Sequence, residues 1–455
     1  MKFKPLAPVV LPAFILGLAI GTLLWHPVVR GYFSEYQANL NKIGATMRIV
    51  HDRYIDEEEA SYEDLTDDAI AAIEEGERHS TEDVSYEALA KDALSAIVDR
   101  DRHSWYMPTE AFDKFRMHSK QQYFGIGVGF TIHRDDQDVV ITRVFPGGGA
   151  EAAGAQPGDR ILAVDGKELA QSLDLGNRDR ILEIKQLIMG ESGTKVTLQL
   201  KDEQGGLRDV EIVRGRVQLP SVDDVRLIDR VGYLRIDQFT ENTGEEFATA
   251  LEVLKRGKMN FLVIDLRDNL GGLLPAAIDV LGHFFEEGEP VVYVKGREGE
   301  QVHYSAGKTK VSCPVLVLIN EYSASSSEIV AGALQVTGKA NLIGASSFGK
   351  TTVQSVFDFK DDTGMKLTIA RYFLPGREPI GEDGLVPDFE VSCDKETRDN
   401  LAFQRGQSLD LSDEAFEKRF GFARVKDPQL QAALRVVRGE PIEEVEKQKV
   451  ESAEP

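Results

Sequence analysis

Cysteine is nearly absent from this chain: Cys313 and Cys393 are the two in 455 residues. That excludes a disulfide-dense scaffold and any metal site built on a cysteine cluster, and leaves a single bridge open. Positive charge is also short, with 53 Lys and Arg against 76 Asp and Glu and a formal charge of −23. A surface of that sign repels phosphate backbones and argues against nucleic acid as a partner. No H-E-x-x-H zinc motif occurs, and no repeat of solenoid length.

A long uncharged apolar run occurs at the N-terminus. Lys2 and Lys4 precede Pro5–Trp25, 21 residues without a charge. As a helix this run is long enough to cross a hydrocarbon core of about 30 Å. The flanking lysines favour a cytoplasmic N-terminus. Residues 1–33 are therefore expected to be a membrane anchor, with the body in the periplasmic or extracytoplasmic space. A cleaved signal peptide is the alternative. Ala19 and Gly21 would suit its small-residue site, but the run continues through Leu23, Leu24 and Trp25. No cysteine lies nearby, which excludes a lipid-modified one.

Residues 34–120 read as helical and acidic. Leu40, Ile43, Met47 and Val50 recur at three- and four-residue steps. Asp56–Asp83 is strongly acidic with one short helical signal, AIAAIEE, and reads as a solvated face or loop. Residues 121–217 change to short β runs broken by glycine, with helices near Ala150–Ala153 and Ile181–Met189. Over 218–395 strands alternate with amphipathic helices. VGYLRID, FLVIDLR, PVLVLIN, NLIGAS, TVQSVFDF and MKLTIARYF are the strands, a pattern that predicts a mostly parallel α/β core. Residues 396–455 form a charged extension with one helical signal, QLQAALRVV.

Three stretches of the α/β region bear on chemistry. Gly344–Thr351 matches the phosphate-loop pattern G-x-x-x-x-G-K-[ST]. That loop needs a helix at its lysine, whereas TTVQSVFDF carries a strand period, so a nucleotide hydrolase is disfavoured. On a strand Lys350 and Gln354 share one face, and a desolvated amine there could serve as a base. The second stretch, PVLVLIN-EYSAS-SSSEIVAGALQV, is a strand, a small-residue turn and a helix. A serine at such a junction sits at a positive helix terminus and can be a nucleophile. Ser325 with Glu328 equally fits a capping box, and Ser323, Ser326 and Ser327 compete with it. All eight histidines lie at or before His303, so a histidine base stays open and Lys350 offers a Ser–Lys pair. The third stretch is the Asp265–Gly272 turn, whose glycines with the N–H of Ser326 could form an oxyanion hole.

Together LVIDLRDNLGGLL, VLINEYSASSSEIVAGALQ and GASSFGKTTVQ strongly resemble the carboxyl-terminal processing proteases, the tail-specific serine peptidases. DRDRHSWYMPTEAF is similar to that family's DPHS-x-Y segment, with Arg102 in place of proline, and YFGIGVGF with VFPGGGAEAAGAQPGDRILAVDG is similar to its PDZ domain. The resemblance runs from about residue 35 to 395. It implies an α+β multidomain chain: a crotonase/ClpP-like α/β protease core, an inserted β-rich PDZ domain and an N-terminal helical region. It implies Ser325 as nucleophile, Lys350 as general base and Gln354 as the residue positioning the lysine. Gly271, Gly272 and Ser326 would give the oxyanion N–H groups. Ser326 stands where alanine is common and Leu270 where a third glycine is common, and neither removes a backbone donor.

The PDZ resemblance implies that Phe124, Gly125, Ile126 and Gly127 capture a substrate's terminal carboxylate, with Ile126 and Val128 lining an apolar pocket. The expected activity is cleavage of proteins at or from apolar C-termini through an acyl-enzyme, with no metal or cofactor. A catalytically silent PDZ adaptor of the same fold is the alternative. A homo-oligomer and an adaptor protein stay open as partners.

Overall fold

The structure, a computed structural model, describes residues 27–79, 85–119, 123–132, 138–169, 177–202, 204–217, 219–308, 310–377, 379–381, 383–405, 412–420 and 422–441. The apolar run Pro5–Trp25 lies outside the described residues. Among the described residues no helix is long and apolar enough to cross a membrane. That corrects the expectation of a membrane-anchored body, for which the described structure gives no support.

Contacts divide the chain into two compact units. The first combines residues up to Lys114 with Lys295–Gly299 and Thr352–Arg371. Its helices are α1 (Pro27–Arg53), α2 (Tyr62–His79) and α3 (Tyr86–Val98). The stretch expected as a solvated face or loop is the 18-residue helix α2, because Leu65 and Ala69 supply a buried stripe beneath its acidic surface. That stripe joins Val50, Leu94 and Ile97 in a core completed by Met365 and Leu367. The two latter residues lie on strand Gly364–Phe373, which pairs antiparallel with Thr352–Asp358 and with Trp105–Met107. The alternation in TVQSVFDF and MKLTIARYF thus made strands, but not parallel ones. Five residues separate 358 from 364, and a parallel neighbour needs a crossover of about a dozen.

The second unit holds a β-rich module and the α/β layer. In the module, Val128–Ile132, Val139–Val144, Arg160–Val164, Lys195–Lys201 and Leu207–Val213 form one antiparallel sheet. Alternate residues of Lys195–Lys201 are buried, and Val196, Leu198 and Leu200 meet Ile141, Ile161 and Ile212 in its core. Tyr123–Gly125 pairs antiparallel with Gly215–Val217 and brings the ends of the module together.

The α/β layer is a six-stranded sheet in sequential order. Its strands are β1 (Val222–Ile228), β2 (Val231–Ile236), β3 (Phe261–Asp265), β4 (Val315–Ile319), β5 (Asn341–Gly344) and β6 (Phe389–Glu390). The β1–β2 pair is antiparallel and the others are parallel. All five residues of β4 are buried, as a strand covered on both faces requires. Helix α5 (Leu274–Leu281) packs against both α4 (Thr243–Arg256) and α6 (Ser326–Val336). The charged extension adds α7 (Lys395–Arg405) and α8 (Pro428–Arg438). Leu430, Ala433 and Leu434 of α8 join Val263, Leu316 and Ile343 in one core.

Candidate active site

The parallel strands place two strand-to-helix junctions side by side. One follows β3 and runs through Asp265–Gly272 into α5; the other follows β4 and runs through Asn320–Ser325 into α6. Asn320 ties them together, accepting from the Asp268 N–H at 2.9 Å and donating to the Asp268 carboxylate at 2.8 Å. Ala324 N–H donates to Asn269 O at 3.0 Å.

This arrangement separates the four serines. Ser323 donates to Leu266 O at 2.8 Å, Ser326 to Gly272 O at 3.0 Å and Ser327 to Asn269 O at 2.9 Å, and all three are buried. Ser325 alone among them is half-exposed. It also has φ 56° and ψ −116°, a conformation that a side-chain-bearing residue adopts at a cost. Strain of that kind at a strand-to-helix turn is what lifts a nucleophile clear of its neighbours. The capping box exists through Glu328, whose carboxylate accepts the Ser325 N–H at 2.8 Å.

Glu328 does more than cap. Wholly buried, it also accepts from Ser347 Oγ at 2.6 Å, Gly349 N–H at 2.7 Å and Lys350 N–H at 2.9 Å. One carboxylate thus joins the backbone of Ser325 to the backbone of Lys350. Burial nevertheless outweighs these bonds and holds its carboxyl pKa above the ordinary value. The same amides decide the phosphate-loop question. The N–H groups of Gly349 and Lys350 point to Glu328, and strand Thr352–Asp358 follows where a phosphate loop needs a helix.

Lys350 makes no salt bridge among the described residues. Burial lowers its pKa below the usual lysine value, and the nearby Glu328 opposes this in part. Tyr372 lies beside Lys350, its hydroxyl donating to Lys350 O. Burial raises its pKa, keeping the phenol neutral.

The glycine turn fits one donor better than two. Gly271, at φ 99°, lies so close to Ser325 that a Cβ there would stand 2.8 Å from the serine's own. Its N–H, however, donates to Asn269 Oδ1 at 2.8 Å. Gly272 bridges to Phe239 through its neighbours, with Phe239 N–H donating to Gly271 O and Leu273 N–H to Phe239 O. That pattern leaves the Gly272 N–H for a ligand, together with Ser326 N–H at the start of α6.

Of the other expected residues, Gln354 donates to Thr352 Oγ1 at 2.7 Å and Thr368 Oγ1 at 3.3 Å. His283 is buried against Phe247, with ring centroids 5.4 Å apart. In the β-rich module Phe124 and Gly125 lie on an edge strand, and Gly127 has φ 80°. Ile126 O and Gly127 O accept from Ala150 N–H and Phe145 N–H at 2.7 and 2.9 Å, which pins the loop. Ile126 is buried in the module core, whereas Val128 is half-buried beside it. The apolar lining expected from Ile126 is therefore core packing.

Sequence reasoning took Glu328 for a cap and gave Tyr372 no role. The S-x-x-E spacing was visible for the first, and no local signal marked the second.

Comparison with known proteins gives the family. Residues 230–391 match peptidase family S41, and residues 140–202 match the PDZ domain. A carboxyl-terminal-processing protease of Picosynechococcus sp. is 33% identical over 284 residues, covering 61% of this chain and 67% of that protein. One from Synechocystis sp. is 34% identical over 285 residues, covering 61% and 65%. The matched stretch thus spans about two thirds of each relative. A solved S41 protease from Bacteroides fragilis shares the fold, with TM-score 0.52 and 17% identity over 87% of this chain and 97% of that one.

Proposed function

Because this chain belongs to the carboxyl-terminal processing proteases of peptidase family S41, serine-type peptidases, we propose that it cleaves protein substrates at or from their C-terminal region with a Ser325–Lys350 pair. The observation that carries the reading is the strained, half-exposed Ser325 tied through Glu328 to a desolvated Lys350. Ser325 Oγ attacks the scissile carbonyl as neutral Lys350 Nζ takes its proton. The Gly272 and Ser326 N–H groups receive the oxyanion. The lysine then gives its proton to the departing amine, and water, deprotonated in turn by Lys350, releases the acyl group from Ser325.

Burial supports the lysine's part. An amine whose charged form is disfavoured can accept a proton near neutral pH, which an exposed lysine does poorly. Gln354 is retained as a candidate positioning residue because its place after Lys350 fits the resemblance. Substrate C-termini would add to the β-rich module along the edge strand before Gly127, with the carboxylate on backbone N–H groups of that loop.

The test is an unfolded protein ending in small apolar residues beside the same protein with a charged tail. Each is incubated with wild type, Ser325→Ala and Lys350→Ala. The reading requires cleavage by wild type with preference for the apolar tail, and none by either folded variant. Cleavage that survives Lys350→Ala would assign the base elsewhere. Binding of the apolar tail without cleavage would support a silent adaptor.

A further inference from the structure

The charged extension reaches the oxyanion turn. Arg267, on the turn between β3 and Gly272, is buried and held from both sides. Its guanidinium donates to Asp265 at 2.9 and 2.6 Å and to Asp427 at 2.8 and 2.7 Å, with Gln429 Oε1 accepting at 3.0 Å. Arg405 of α7 donates to Asp265 at 3.4 Å and to Asp268 at 3.2 Å. Arg235 of β2 stands 4.0 Å from Asp265 and 3.8 Å from Asp268. Arg235, Arg267 and Arg405 thus face Asp265, Asp268 and Asp427, and Arg235 donates in addition to the more exposed Asp237.

Removing Asp427 takes one of the two carboxylates from the buried Arg267, and removing Arg405 takes a cation from Asp265 and Asp268. Two of the six, Arg405 and Asp427, lie beyond residue 391, where the family S41 match ends. Asp268, which Arg405 holds, has φ 64° and is followed by Asn269, the residue that fixes both Ile236 O and the Gly271 N–H. From Arg405 and Asp427 to the turn that presents Gly272 there is an unbroken chain of charge-assisted hydrogen bonds.

We propose that the C-terminal extension is a clasp on the oxyanion turn, in which Asp427, through Arg267, and Arg405, through Asp268, act as positioning residues for the Gly272 N–H. This rests on the peptidase reading of the site. The clasp gives the extension a part in the chemistry although neither residue reaches a substrate. It acts on transition-state stabilisation, because an oxyanion donor matters most after the carbonyl oxygen has taken up charge.

The test compares full-length wild type with Asp427→Asn, Asp427→Glu and Arg405→Gln. Asparagine keeps the side-chain acceptor that caps α8 at Leu430 N–H, so Asp427→Asn removes the charge and leaves the helix start intact. Hydrogen–deuterium exchange of segment 266–273 is read alongside kcat and KM on a peptide substrate. The clasp requires exchange in that segment to rise at least about fivefold in Asp427→Asn and Arg405→Gln. It also requires kcat to fall at least about tenfold with KM within about twofold, and Asp427→Glu to recover a substantial part of both.

Unchanged exchange at 266–273 would overturn the clasp. So would a kcat that falls only in proportion to unfolded protein. If Asp427→Asn does not fold, Arg405→Gln decides, since the bonds of that arginine, at 3.4 and 3.2 Å, are longer than the 2.8 and 2.7 Å bonds at Asp427. If wild type hydrolyses nothing, the peptidase reading has failed, and the exchange measurement still judges the clasp by itself.

Discussion

Glu328→Gln perturbs the one group that joins the Ser325 and Lys350 segments. The carboxylate accepts four hydrogen bonds, from Ser325 N–H, Ser347 Oγ, Gly349 N–H and Lys350 N–H. Glutamine keeps one accepting oxygen for the Ser325 and Lys350 N–H groups and turns its N–H₂ toward Ser347, whose hydroxyl can accept it, and Gly349, so the Gly349 bond is lost and the other three lose their charge. A bond to a charged group is worth about 1.5–3 kcal/mol and a neutral one about 1, so one bond lost and three weakened is a gross loss of roughly 3–6 kcal/mol.

Relief from burying a carboxylate offsets part of this, since burial already holds the Glu328 pKa high. A net loss of about 2–3 kcal/mol is expected, or roughly 3–5 °C in the unfolding midpoint for a unit of about 300 residues. The sign with pH follows from the raised carboxyl pKa. Wild type loses stability as pH rises through it, glutamine does not titrate, and the gap between the two therefore narrows. Loosening both backbone anchors misplaces nucleophile and base together, so kcat should fall by about 10²-fold. Calorimetry and single-turnover kinetics read the two effects. A midpoint within about 1 °C of wild type, or kcat within about twofold, would refute the account of Glu328 as the tie.

Three further outcomes follow from the site and its surroundings. Lys350→Met should be inactive yet more stable than wild type at neutral pH. The buried amine is penalised when protonated, and the difference should close as pH rises from its lowered folded pKa toward the ordinary 10.5 in thermal melts across pH. Gly272→Ala should unfold at least about 2 kcal/mol more easily in urea and lose about 10²–10³ in kcat, because φ is 145° and a Cβ would lie 2.1 Å from Phe239 O. Cys313 and Cys393 are both free, and burial raises both thiol pKa values, that of Cys393 to about 11. Thiol reagents at pH 7.5 should therefore label both cysteines slowly until the chain unfolds, and reductant should leave the melting curve unchanged.

The amino-acid sequence carried the junctions better than their wiring. Buried runs such as VLVLI and the small-residue turn at Ser325 are local signals, and so is the glycine pair at 271–272; they placed Ser325, Lys350 and the glycine turn in one layer. Four serines in a row looked alike until tertiary hydrogen bonds engaged three of them. The double duty of Glu328 depends on Gly349 and Lys350 folding back across α6, which a capping spacing does not encode. Gly271 read as a donor because glycine permits close approach, whereas the direction of its N–H was set by Asn269. Ile126 read as pocket lining because its loop does bend at Gly127, but its side chain turns into the module core. The extension was opaque for the same reason at longer range: Arg267 and Asp427 are 160 residues apart, and ion pairing leaves no periodic trace.

The Ser325–Lys350 pair is tested most directly by intact-mass and peptide-level analysis of the protein after reaction with a serine-directed electrophilic peptide across a range of pH. The account predicts one adduct, on the peptide containing Ser325. It should form faster as pH rises through a value below the ordinary lysine range, and be absent in Lys350→Ala. An adduct on another residue, or equal labelling of Ser325 in Lys350→Ala, would contradict it.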